Sequence, residues 1–258
     1  MMTLNKSTLC RAAALCLAVL GTASAQSQGW QHAISPYIWG SGMSGDVVVG
    51  TPLGAVESNV DLNFGEILDN LDFGGMVSYE GKNDKWVVLG DLIFMNLGAD
   101  VDSVSGAVTV RNSADLEQSM LEADFGYRLT ENMALFVGAR YTDIDGEIGF
   151  ATTGPGGGTS RSAGISENWV DPIVGLLGQW QLTEHWAWDL RADIGGFGVG
   201  SDFAWQAQAI LRWKVRPNLD VNASYRYMEV DFDQDETTGL LVYDMINAGP
   251  GVGVTFHF

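Results

Sequence analysis

GPGVGVTFHF, residues 249–258, closes the sequence. Val252, Val254, Phe256 and Phe258 fall on one face of an extended strand, and Gly251, Gly253, Thr255 and His257 fall on the other, the period of two that marks a strand. Chain ends are commonly polar and loosely held. This one stops on an aromatic in mid-alternation, and the remaining sequence has to account for it.

The same alternation recurs upstream. Trp186, Trp188, Leu190, Ala192 and Ile194 oppose Ala187, Asp189, Arg191 and Asp193. Phe203, Trp205, Ala207, Ala209, Leu211, Trp213 and Val215 oppose Gln206, Gln208, Arg212 and Lys214. Leu219, Val221, Ala223, Tyr225 and Tyr227 oppose Asp220, Asn222, Ser224 and Arg226. Helices would space such charges three or four apart. The connections are unequal. LTENM (129–133), LTEHW (182–186), VRPNL (215–219) and KNDK (82–85) are tight turns, whereas GADVDSVSGA, GEIGFATTGPGGGTSRSAGIS and VDFDQDETTG are long and polar. Short turns on one rim and long loops on the other are the asymmetry of an outer-membrane barrel. The pattern predicts an all-β, transmembrane, antiparallel up-and-down β-barrel of about twelve strands: 30–41, 44–51, 54–64, 72–82, 85–97, 106–129, 132–149, 160–182, 185–198, 202–215, 218–233 and 239–258. If 44–51 with 54–64 is only a loop hairpin, ten remain; both counts are even and close antiparallel.

The N-terminus fits an exported chain. Lys6 and Arg11 precede an apolar run, Ala12–Leu20, and GTASA ends in small residues at Ala23 and Ala25, the layout of a cleaved signal peptide. The expected domains are a signal peptide, 1–25, and a barrel, 26–258. Cys10 and Cys16 both lie in the segment to be removed, so disulfides are not the means of stabilisation. Removing Lys6 and Arg11 leaves 11 basic residues against 32 acidic ones, a net charge of −21, which argues against nucleic acid as a partner. No later run of about 18 apolar residues could form a membrane helix, leaving the barrel as the way across.

Aromatic placement agrees with a membrane band. Trp30, Trp86, Trp180, Trp186 and Trp213 lie beside tight turns or the N-terminus; Trp39, Phe94, Trp169, Phe203 and Trp205 lie toward the long-loop ends. Trp86 to Phe94 spans about 26 Å at ~3.3 Å per residue, close to the separation of two aromatic girdles. With SPYIW (35–39), DNLDFG (69–74) and GPGVGVTF (249–256), the chain resembles Gram-negative outer-membrane β-barrels, porin-like proteins of a poorly characterised group. The resemblance covers nearly all of 26–258. It implies an outer-membrane location, and an aromatic final strand, Phe258 with Phe256, that serves as the signal for the barrel-assembly machinery.

Chemistry is sparse. His32, His185 and His257 all fall at the tight-turn rim, away from the outer leaflet where barrel enzymes work, so no enzyme, catalytic residue or cofactor is expected. Carboxylates at alternate positions in DIDGE (143–147) and VDFDQDE (230–236) read as solvated acidic loops beside lipopolysaccharide; Glu236 stands where a calcium loop needs glycine, so no metal is expected. NFGEILDNL (63–71) predicts a short helix over 64–71, with Asn63 as cap and Glu66 at the capping-box position. It either folds into the lumen or packs on the rim.

Aligning strands by their turns brings Asp91, Asp124, Arg140, Asp189, Arg191, Gln208 and Arg226 to similar depth on the polar face, with Asp193 and Arg212 on that face as well. Mixed charges lining a wet lumen suit a passive channel for small polar solutes. The same groups, paired, would make a closed plug. The alternatives are therefore a non-conducting barrel for envelope integrity or adhesion, a surface enzyme, and a soluble secreted all-β protein.

Overall fold

Period-two alternation builds twelve strands and one helix. The computed structural model describes residues 29–51, 54–105, 108–154, 157–236 and 239–258; the expected signal peptide lies outside them. The strands are β1 (Gln31–Trp39), β2 (Gly42–Thr51), β3 (Gly54–Leu62), β4 (Leu71–Lys82), β5 (Trp86–Ser105), β6 (Val108–Arg128), β7 (Met133–Gly154), β8 (Gly157–Gln181), β9 (Trp186–Gly196), β10 (Phe203–Arg216), β11 (Leu219–Glu236) and β12 (Gly239–His257). Helix α1 (Phe64–Asp69) lies between β3 and β4. Neighbours pair antiparallel, and β1 pairs with β12, so that β1 and β4–β12 close a ring of ten. Ring closure gives every wall strand two partners, which a lipid environment demands.

The hairpin β2–β3 is the extra pair. β1 lies along β12 with Ala33 opposite His257 and Trp39 opposite Gly251. β2 continues in the same register, Gly42 opposite Ala248 and Val49 opposite Leu241. The two are therefore one long strand bent at Gly40–Ser41. On its other side the lower half pairs with β4 and the upper half with β3.

Through the lower wall outward positions are apolar and inward ones mostly polar, apart from a small buried cluster of Val87, Leu89, Ala134, Phe136, Ile173 and Leu177. Trp186, Trp188, Leu190 and Ile194 are exposed, while Ala187, Asp189 and Asp193 are buried. Trp86 stacks on Phe125 at 4.9 Å, and Trp186 on Trp213 at 6.1 Å, on the tight-turn side of the wall. The upper interior is different. Trp39, Met43, Ile93, Met120, Ile144, Trp169, Met228, Phe232 and Met245 form one buried apolar cluster with Ile67 of α1.

Three sequence expectations are corrected. The stretches 98–107, 146–166 and 230–239, read as loops, are strand for most of their length: Ser105 pairs with Val108, Gly154 with Gly157 and Glu236 with Gly239. A hairpin standing clear of a barrel wall has no lipid-facing side to keep apolar, so the sequence loses its regular alternation there while backbone pairing continues. Trp39 and Trp169 are not in the outer girdle; they are 7% and 6% exposed and sit inside, each satisfied there, Trp39 Nε1 donating to the Gly249 carbonyl at 3.2 Å and Trp169 Nε1 to Asp171 at 3.0 Å. The helix ends at Asp69 rather than 71, because Asn70 caps it with its Nδ2 on the Glu66 carbonyl and Leu71 already pairs with Leu97.

Candidate functional site

Below the apolar cluster, inward side chains from seven strands meet in a layer of ion pairs. Arg140 on β7 donates through Nε to Glu122 at 2.7 Å and through Nη2 to Asp193 at 2.8 Å. Arg191 on β9 donates to Asp124 at 3.0 Å and to Asp193 at 3.1 Å, and also pairs with Glu122. Its guanidinium lies 4.7 Å above the Phe136 ring, and the Gln206 side-chain amide donates a hydrogen bond to Asp193 at 2.8 Å. Across the lumen Arg226 donates to Asp91 at 2.7 Å, and the Tyr37 hydroxyl donates to the same carboxylate at 2.8 Å. Three guanidiniums thus face four carboxylates.

The layer is nearly dry. The side chains of Arg140, Glu122, Asp124 and Asp193 are at most 4% exposed, and those of Arg191 and Asp91 reach 10%. Charges so placed are held by geometry, since each carries a desolvation cost that only close partners offset. Glycine supplies the room. A Cβ at Gly175 would run into the Phe136 ring and Asp193, and one at Gly253 would lie 2.8 Å from Tyr37 Cβ.

Toward the tight-turn rim the lumen opens into a vestibule. Its inner part is a cavity of about 120 Å³ that extends from Arg191, Asp91 and Arg226 down to Arg212 and His257; the mouth is bordered by Gln181, His185, Lys214 and Pro217. Arg212 donates to Asp189 at 2.8 Å and sits 3.8 Å from Asp220, which His257 Nε2 meets at 2.8 Å. Lys82 pairs with Glu80 at 2.7 Å. Hydroxyls and amides complete the lining: the Ser35 and Thr255 hydroxyls lie 2.7 Å apart, and Asn222 donates to Thr255 at 2.9 Å.

Asp124, Arg140, Arg191 and Asp193 therefore share one network, Asp91 and Arg226 a second at similar depth, and Asp189 and Arg212 lie lower. Gln208 is 3.4 Å from Arg226. Glu122, Tyr37 and Asp171 were not selected from sequence. Glu122 shares the inward parity of Asp124, and Tyr37 that of Ser35, so strand parity was the available signal. Asp171, 1% exposed, accepts from the Ser201 amide at 2.6 Å and its hydroxyl at 2.9 Å, tying the β9–β10 turn to β8. The histidines do not converge. His32 stacks on Tyr79 and Phe258 outside the wall, His257 points inward, and His185 is exposed in a turn.

No family model matches the chain, and no curated protein matches it. Among solved structures it is similar to the outer membrane protease OmpT from Escherichia coli, with a TM-score of 0.55, 12% identity, and coverage of 90% of this chain and 98% of that one. The translocator domain of the autotransporter NalP from Neisseria meningitidis gives 0.42 at 14% identity, covering 98% of each chain. Ail, the attachment invasion locus protein of Yersinia pestis, gives 0.31 at 14% identity, covering 89% and 99%. At 12% identity the likeness to OmpT is one of fold, and the fold is that of an outer-membrane β-barrel.

Proposed function

We propose that this protein resides in the outer membrane of a Gram-negative bacterium as a passive conduit for small polar solutes, closed at rest and gated by its ion-pair layer. The observation that carries this reading is the vestibule: a cavity lined by hydrogen-bonding groups and charges of both signs, open at one rim and ending on Asp91, Arg191 and Arg226. A narrow structural barrel would fill that space with side chains. The tight-turn rim faces the periplasm, and the acidic hairpins face lipopolysaccharide. Phe258 and Phe256 are the insertion signal for the assembly machinery. The reading is non-enzymatic, because the three histidines lie on different faces of the wall and do not converge on one site.

A permanently plugged barrel is the second reading, favoured by the apolar cluster stacked above the ion pairs. Planar-bilayer recording separates the two. A gated conduit gives brief openings whose frequency rises in Arg191→Ala, with the reversal potential in a salt gradient moving toward cation selectivity as one positive charge leaves the lumen. A bilayer silent at every voltage, for both wild type and variant, sinks the conduit and leaves the plug.

A further inference from the structure

The wall is interrupted between β1 and β4. β4 runs up to Leu71, yet its pairing with β1 stops at Tyr37–Met76, and the next pairing on that side of the long strand begins at Met43–Leu62 with β3. Between these points the Trp39 amide, which faces β4, donates to the Met76 thioether at 3.2 Å instead of a strand carbonyl. Sulfur is a weak acceptor, so the ladder has ended there. Among the described residues β3 pairs only with β2. The gap is crossed by α1, anchored at its C-terminal end by the Asn70 carbonyl accepting from the Gly98 amide at 2.9 Å, and at the other end by Phe64 seated on Gly40.

Both sides of this gap are apolar. Outside, Phe64 is 37% exposed, Leu68 54% and Ile38 63%, at about the height of Phe94 and Gly75, where the outer aromatic level falls. Inside, Ile67 plugs the buried cluster, which holds Met43, Met120, Met228 and Met245 with Met76 and Met95 packed against it. Six of the nine methionines in the sequence thus gather behind one helix. Methionine repacks around a guest more readily than branched side chains do. The cluster is short, because Arg226 lies 5.2 Å above the Trp39 ring at its floor and Met228 to Phe232 spans about 13 Å at ~3.3 Å per residue.

We infer that α1 is a latch over a lateral portal, through which a small compact apolar molecule passes from the outer leaflet into the packed methionine cluster, which rearranges around it. The short extent of the cluster favours a ring-sized hydrocarbon over an extended acyl chain. The site stands apart from the polar vestibule and does not rest on conduction through it.

The test uses the full-length barrel in detergent micelles, labelled with 5-fluorotryptophan, with Cys10→Ser and Cys16→Ser, and benzene as the probe. Resonances assigned with Trp39→Phe and Trp169→Phe should shift saturably, while those of Trp186 and Trp213 drift only linearly as benzene partitions into the micelle. Adding Asn70→Cys with Gly98→Cys, across the hydrogen bond that anchors the latch, should slow the onset at least tenfold when oxidised, with recovery on reduction. Ile67→Ala, which needs no cross-link, should speed it severalfold while heat-modifiable migration is retained. Cluster tryptophans that move no more than rim tryptophans overturn the site. Saturable shifts indifferent to both the clamp and Ile67→Ala overturn the portal.

Discussion

Arg191 touches three carboxylates, Glu122, Asp124 and Asp193, with its flat face on Phe136. Removing it strands acids in a nearly dry layer, so Arg191→Ala should lower stability by about 3–5 kcal/mol, read as a fall in the denaturant midpoint of the refolded protein. An unchanged midpoint would mean that water solvates those acids and that the layer is wet. Gly138 tests packing at the same place. A Cβ there would meet Asp124 and the Ala123 backbone, and Gly138→Ala should cost about 1–3 kcal/mol as the overpacked layer shifts. The charged members of this layer were legible in sequence because turns set strand height and parity sets face. Their pairing was not legible, since it depends on which side chains meet across the lumen. Tyr37 and Trp39 flank Arg226 at 5.7 and 5.2 Å from ring to guanidinium, an arrangement no single strand reveals.

Along β11 the apolar positions are Val221, Ala223 and Tyr225, and then the pattern changes hand, with Met228, Val230 and Phe232 buried inside. That change of parity marks where a polar lumen gives way to the packed apolar cluster, and it was present in the sequence. The protruding hairpins were obscured for the opposite reason, because their sequences lack the regular alternation of the wall. Their pairing lies beyond the outer aromatic level, so deleting 148–163 from the β7–β8 hairpin should leave barrel assembly intact, checked by unchanged heat-modifiable migration; loss of the folded band would show that the extension supports the wall. β12 makes the converse case. Phe258 exchanges backbone hydrogen bonds with His32 at 3.0 and 3.1 Å and stacks on its ring at 5.7 Å, so Phe258→Asp should lower the amount recovered in the outer membrane. Equal recovery would show that the terminal aromatic is incidental.

The molecule as a whole presents leucine, tryptophan and valine outward and buries arginine and aspartate, the inverse of a soluble protein. It should therefore remain folded and protease-resistant in detergent micelles and migrate differently after boiling; monodispersity in detergent-free buffer would end the membrane reading. The bent strand formed by β1 and β2 has a further consequence, for the order of folding. Its partner is the last strand, and Ser35 meets Thr255 across 220 positions of sequence, whereas the hairpins from β4 to β12 join neighbours. Loop closure over such a separation is slow compared with local hairpins, so the sheet grows by accretion and the first and last strands zip together at the end. Until that step a growing sheet carries two bare edges, each a template for another chain. Closure thus makes the two termini jointly rate-determining, and it gives a chain truncated at either end the same fate, a ribbon that pairs with its neighbours instead of with itself.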